Sequence, residues 1–167
     1  MSAEEKIVAA LGNILIDQGK SIVIIVGDAD LRYVMHQRLK DLGAQSLAAS
    51  FLTEKEPKID PGRFEDLAKT HYLSVLDFHD FKTLNGARLK ELVSGETFTQ
   101  FQSEDRQFVC VAPKAKKLVI FAGQNKPANC ILDTEAALKA RTEWIDLGAS
   151  VGFNAQRHFA NHEIVCK

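Results

Sequence analysis

The chain has 167 residues, with 21 Lys and Arg against 22 Asp and Glu, for a net charge near −1. That length is enough for one domain to bury a core without disulfides or metal, and the charge balance excludes a protein that holds nucleic acid by overall charge, leaving only local basic patches. The three cysteines, Cys110, Cys130 and Cys166, are dispersed and odd in number, which fits reduced thiols rather than a disulfide framework. No apolar run nears the roughly 18 residues that span a bilayer. A cytoplasmic protein is expected, in the cytoplasm or nucleus of a host cell if the source is viral.

In chain order, Ser2-Ala3-Glu4-Glu5 has capping-box spacing, and Ile7, Val8, Leu11, Ile14 and Leu15 form an apolar helical stripe that Gly19 closes. Ser21 to Val26 is a continuous β-branched run, the pattern of a central strand covered on both faces. Gly27-Asp28-Ala29-Asp30 turns the chain, with Asp30 as the expected N-cap of a helix from Leu31 to Leu42. Leu31, Val34, Met35, Leu39 and Leu42 are its expected buried face, with Arg32, His36, Arg38 and Lys40 outside and Gly43 at its end. A short strand is expected over Leu47 to Leu52, and a helix from Asp60-Pro61.

Tyr72 to Leu76 reads as a buried strand that delivers Asp77, Phe78, His79 and Asp80 to its carboxyl end, followed by a helix from Thr83 to Val93. Phe98 to Val111 reads as a hairpin and Leu118 to Ala122 as a buried strand ejecting Gln124. The spacing predicts a helix over Asp133 to Leu147, including Leu138, Arg141, Trp144 and Ile145, then a last core strand over Ser150 to Phe153 and an edge strand or docked tail at Ile164 to Cys166. This alternation implies one α/β domain over residues 1–167, built as a mostly parallel three-layer sheet. Its parts are an N-terminal helix to residue 19, a core over 20–127 and a C-terminal helix and strand over 128–167.

Ligands of such sheets gather beyond the carboxyl ends of the strands. Those ends are Gly27 to Asp30, Asp77 to Asp80, Gln124 with Asn125, and Asn154 to Gln156. Asp77, Asp80, His79 and Gln124 are the candidate catalytic residues, and Asp28, Asp30 and Asp77 are a candidate magnesium set of hard oxygen ligands. The plainer reading makes Asp28 and Asp30 a turn and a helix cap, and Asp77 and Asp80 a solvated loop. No Ser or Cys nucleophile lies near His79 in sequence. His158, His162 and Cys166 share helical spacing, but three groups near a terminus read more simply as surface residues than as a zinc site.

The stretch Leu89-Lys90-Glu91-Leu92-Val93-Ser94-Gly95, the hairpin after it, and Lys117-Leu118-Val119-Ile120-Phe121-Ala122-Gly123-Gln124-Asn125-Lys126-Pro127 resemble the second half of the ATPase core of superfamily-3 helicases, AAA+ proteins of viruses, phages and plasmids. The resemblance spans about residues 20 to 127. It implies a P-loop NTPase sheet with a hairpin before the fourth strand, Asp77 as a magnesium-directing carboxylate, Gln124 in place of the sensor Asn, and Lys90 as the basic residue before the hairpin. It also implies nucleic acid, a replication protein or further copies of the chain as partners, with Arg141 and Arg157 as candidates to reach a neighbour's nucleotide.

One departure is chemical. A phosphate loop needs converging backbone N–H groups, a Lys and a Ser or Thr for magnesium, whereas Gly27-Asp28-Ala29-Asp30-Leu31-Arg32-Tyr33 has no Lys and two carboxylates. The expectation is therefore a degenerate, non-catalytic helicase core that acts by binding, with no cofactor beyond a possible Mg2+. Lys90, Arg106, Lys114, Lys116 and Lys117, beside Phe98 and Phe101, are the candidate nucleic-acid contacts, against the reading that the lysines only solubilise a sheet edge. The alternative is a receiver-like or magnesium-dependent phosphate-handling domain. A 5-1-4-3-2 strand order with a hairpin before the fourth strand separates the helicase lineage from a receiver's 2-1-3-4-5.

Overall fold

Ile22-Val23-Ile24-Ile25-Val26 offers no polar side to water, and the chain buries all five residues as the central strand of a parallel sheet. The computed structural model describes residues 2–16, 19–53, 70–94, 98–102, 108–111 and 117–149. The elements run α1 (Ala3–Leu15), β1 (Ile22–Val26), α2 (Ala29–Asp41), β2 (Gln45–Ser46), β3 (Tyr72–Val75), α3 (Gly86–Ser94), β4 (Phe98–Gln102), β5 (Phe108–Val111), β6 (Lys117–Phe121), α4 (Ile131–Thr134), α5 (Ala136–Arg141) and β7 (Thr142–Asp146). Single 3-10 turns cover Ala49–Leu52 and Phe81–Thr83.

β1 pairs in parallel with β6 on one side and β7 on the other, while β6 pairs with β3 and β3 with β2. The spatial order is β2-β3-β6-β1-β7. With β4 and β5 set aside as a separate antiparallel pair, that is 5-1-4-3-2 in chain order, with the hairpin before the fourth strand. It is not the 2-1-3-4-5 order of a receiver.

Alternation along the strands builds two cores. Ile22, Ile24, Leu118, Ile120, Leu73 and Val75 face a layer made by Phe51, Phe78, Leu89, Leu92, Leu132 and Leu138. Val23, Ile25, Val119 and Phe121 face Ile7 and Ile14 of α1 and Leu31, Val34, Met35 and Leu39 of α2. The three-layer architecture thus follows from a sheet with no solvated face, and each fully buried aliphatic side chain contributes about 1.5–3 kcal/mol. Cys130 belongs to the first core, where burial pushes its thiol pKa up and keeps it protonated.

α1 begins with the reciprocal capping box of Ser2 and Glu5, and α2 stops before Gly43, whose φ of 101° needs glycine. The helix expected from Thr83 begins at Gly86, after the Phe81–Thr83 turn. The strand expected over Leu47 to Leu52 is only Gln45–Ser46, because Phe51 and Leu52 both enter one core, which adjacent residues of a strand cannot do. Val8 and Leu15 of the α1 stripe are exposed, as is Leu42, expected on the buried face of α2.

The largest correction is at residues 133–147. The expected helix ends at Arg141, and Trp144 and Ile145 lie in β7. β1 is buried and needs a hydrogen-bonding partner on each edge, and Thr142-Glu143-Trp144-Ile145-Asp146 supplies the second, overriding helical spacing. The expected helix at Asp60-Pro61, the strand at Ser150 to Phe153 and the tail strand at Ile164 to Cys166 lie outside the described residues. No helix among the described residues is long and apolar enough to cross a membrane.

Lys117 shows how β6 anchors the first helix. It is buried, and its Nζ donates to Asn13 O at 3.2 Å, supplying a cation to the end of α1, whose last turn has no basic residue. Gly19 closes around it: a Cβ there would stand 2.7 Å from the ammonium. Lys117→Met is expected to lower stability by about 1–3 kcal/mol, since Asn13 O loses a charged donor. Urea denaturation followed by circular dichroism measures this, and an unchanged midpoint would refute the anchoring role.

Candidate functional site

The carboxyl edge of the sheet is closed at β1 by its own hydrogen bonds. The Gly27 N–H donates to Gly123 O at 3.1 Å and the Asp28 N–H to Gly148 O at 2.9 Å, so the ladder continues through the turn where strand gives way to helix. The Asp30 N–H donates to Asp28 Oδ1 at 2.9 Å, making Asp28 the N-cap of α2 rather than Asp30, because only the residue preceding the helix can turn its carboxylate back onto the first-turn amides. Gly27 takes φ of 130°, and a Cβ there would stand 3.0 Å from both Gly148 N and Leu147 Cβ. The amides of Gly27, Asp28 and Asp30 therefore face protein oxygens instead of converging on an external anion.

Arg32 completes the closure. Expected outside, it is buried, with Nε donating to Gly27 O at 2.9 Å and Nη1 donating to Ala122 O and, at 3.2 Å, to Asp77 Oδ1. One guanidinium thus ties the ends of β1 and β6 to the turn after β3. A planar fork can meet acceptors in divergent directions, as a lysine ammonium on one stem cannot. Asp77 adopts φ of 55°, a left-handed conformation that a short polar side chain tolerates, and its carboxylate is 64% exposed.

His36 lies one helical turn beyond Arg32 and is also buried, against the expectation of an exposed face. Its Nδ1 is 2.7 Å from Ser74 Oγ, and its ring meets Phe121 edge-on with centroids 5.4 Å apart. Burial lowers its pKa below the ordinary 6.5, Lys40 lowers it further, and Asp77 opposes both. Residues 32, 35, 36 and 39 form an i, i+3, i+4, i+7 stripe that is buried throughout. That periodicity was the available signal; the charge of Arg32 and His36 obscured it.

The remaining candidates divide by exposure. Asp30, His79, Asp80 and Gln124 are exposed along this edge, and His79 Nδ1 lies 3.7 Å from where a Gly123 Cβ would be. Among the described residues no group of three or more His, Cys, Asp or Glu side chains converges to hold a metal, so Asp28, Asp30 and Asp77 are not gathered into a magnesium set. Asp28 turns into its own helix and Asp77 toward Arg32. Lys90 forms an ion pair with Glu135, and Lys117 is the buried anchor described above, not a free basic edge. Arg106, Lys114 and Lys116 lie outside the described residues, as do Asn154, Gln156, Arg157, His158, His162 and Cys166.

Two outcomes check this geometry. Arg32→Lys is expected to destabilise the fold by about 1–3 kcal/mol, since one ammonium cannot serve the divergent oxygens and leaves a buried acceptor without a donor; a midpoint within error of the parent in chemical denaturation would contradict it. His36 has a depressed pKa, so the folded state binds fewer protons than the unfolded one near its titration. Its contribution is complete above pH 6.5 and is lost as pH falls below 6.5 through the lowered folded value. Thermal melts between pH 8 and 5 should therefore show this loss, and His36→Phe should flatten it.

No protein-family model matches the chain, and no curated protein sequence does. Among solved structures it is similar to a Pif1 helicase from a study of DNA unwinding at forked double-stranded DNA, at 11% identity and a TM-score of 0.48 over 86% of this chain and 43% of that one. It is also similar to Bacteroides sp. Pif1 in complex with ADP-AlF4, at 11% identity and a TM-score of 0.47 over 92% of this chain and 44% of that one. The chain spans less than half the length of either structure.

Proposed function

We propose that this is a helicase-like domain of the superfamily-3 kind whose nucleotide loop is degenerate, and that it acts by binding nucleic acid without hydrolysing ATP. The observation that carries the reading is the state of the β1–α2 turn. Its amides are held by Gly123 O, Gly148 O and Asp28 Oδ1, and its cation, Arg32, is directed at carbonyl oxygens and Asp77. A triphosphate seated there would meet two carboxylates without a lysine, and like charges in such a site repel strongly. The 5-1-4-3-2 sheet and the β4–β5 hairpin before β6 support the lineage. The nucleic-acid half of the reading rests on the basic run of Lys114, Lys116 and Lys117 beside that hairpin and on Arg106 within it. Within the run, Lys117 serves α1, which leaves Arg106, Lys114 and Lys116 as the proposed contacts, with Lys90 at the preceding helix.

The purified chain is expected to show no saturable ATP hydrolysis with magnesium and no nucleotide-induced rise in melting temperature. Saturable hydrolysis abolished by Asp77→Ala would overturn the non-catalytic reading. Fluorescence anisotropy with labelled single-stranded DNA is expected to show affinity falling with salt, with the slope reduced by about one for each of Arg106, Lys114 and Lys116 changed to Glu. Salt-insensitive or absent binding would redirect the reading to a replication protein or a second copy as the partner. Lys117 stays unchanged in these variants so that folding and binding are read separately.

A further inference from the structure

We infer that Trp144 and Lys126 form a base-stacking contact for single-stranded nucleic acid, an inference that rests on the nucleic-acid reading above and adds to it a contact made by residues outside the hairpin. Trp144 lies on β7, which pairs only with β1 among the described strands, opposite Ile24 in the register. Its indole is half-buried, with Phe81 at a centroid distance of 6.3 Å. The indole N–H donates to Asp133 Oδ1 at 3.2 Å, which fixes the plane of the ring from the side. Lys126 stands over the ring with its ammonium 4.7 Å from the centroid, and Asp133 Oδ2 holds that ammonium at 3.1 Å.

The arrangement separates a fixed part from a movable one. The ring is positioned by the sheet, the core and Asp133, whereas the group above it is a flexible side chain that is 48% exposed. Stacking of a base on an indole outweighs an exposed cation–π contact and is indifferent to base identity. A base can therefore take the place above Trp144 while the displaced ammonium turns to the adjoining phosphate, which keeps the cation paired throughout. Lys126 follows Gln124 and Asn125, both exposed, in the turn after β6, so its ammonium reaches the mid-strand indole from the carboxyl edge.

Trp144 is the chain's single tryptophan, so its fluorescence reports this position alone. The full chain is titrated with fluorescein-labelled oligothymidylate, reading anisotropy of the label, and with unlabelled oligothymidylate, reading tryptophan emission. The expected result is emission quenched in step with binding, affinity about ten-fold weaker in Trp144→Phe, and a salt slope about one unit shallower in Lys126→Ala and restored in Lys126→Arg. Binding by anisotropy with unquenched tryptophan in the parent chain overturns this contact while the nucleic-acid reading stands. Absence of binding to any single strand overturns both. The quenching measurement needs no variant, so a misfolded Trp144→Phe leaves it decisive.

Discussion

The guanidinium of Arg32 ties the carboxyl ends of β1 and β6 to the turn after β3. A buried cation is tolerated only where oxygens surround it, and here they come from the ends of β1 and β6 and from the turn after β3. Accepting from Arg32 requires Gly27 O to face inward, and the same residue has φ of 130° and no space for a Cβ against Leu147 and Gly148. Gly27, Arg32, Ala122 and Asp77 are consequently one unit. Changing the turn into a phosphate cradle would release the arginine, and the turn amides would have to leave Gly123 O and Gly148 O. Several simultaneous bonds hold the turn in this arrangement, and under the proposed reading they would oppose nucleotide more than the missing lysine alone.

Much of the fold was legible because its signals are local. The β-branched run of β1, the apolar strand β6, the capping box of Ser2 and Glu5 and the hairpin each announce themselves within a few residues. β7 was not legible. Leu138, Arg141, Trp144 and Ile145 sit at helical spacing, and the reason they divide between a short helix and a strand is the unpaired edge of β1, more than a hundred residues earlier in the chain. A demand made at that distance leaves no mark in the local pattern.

The position of the candidate residues was legible and their contacts were not. The carboxyl edge, with Asp77, His79, Asp80 and Gln124, follows from the alternation of strands and helices. Which side chains turn inward depends on acceptors that no sequence window contains: Arg32 is buried because Ala122 O is ninety residues away in sequence and adjacent in space, and His36 because Ser74 on β3 faces it. The expectation that charged residues of α2 stay outside used charge where the i, i+3, i+4, i+7 stripe carried the stronger information.

Exposure then decides which cations a polyanion can recruit. Lys117 is buried against Asn13 O, and withdrawing it would leave the end of α1 uncapped. Lys90 and Lys126 are also paired, with Glu135 and Asp133, but their side chains are 40% and 48% exposed. Exposed ion pairs contribute about 0–1 kcal/mol, because water and salt already screen them. Exchanging a carboxylate for a phosphate at Lys90 or Lys126 thus costs little, while the release of counterions from the nucleic acid favours the exchange. A chain with net charge near −1 has no general attraction for nucleic acid, so the proposed binding would have to draw on such exchangeable cations beside a ring that can stack a base, and Lys126 above Trp144 is the pair that offers both.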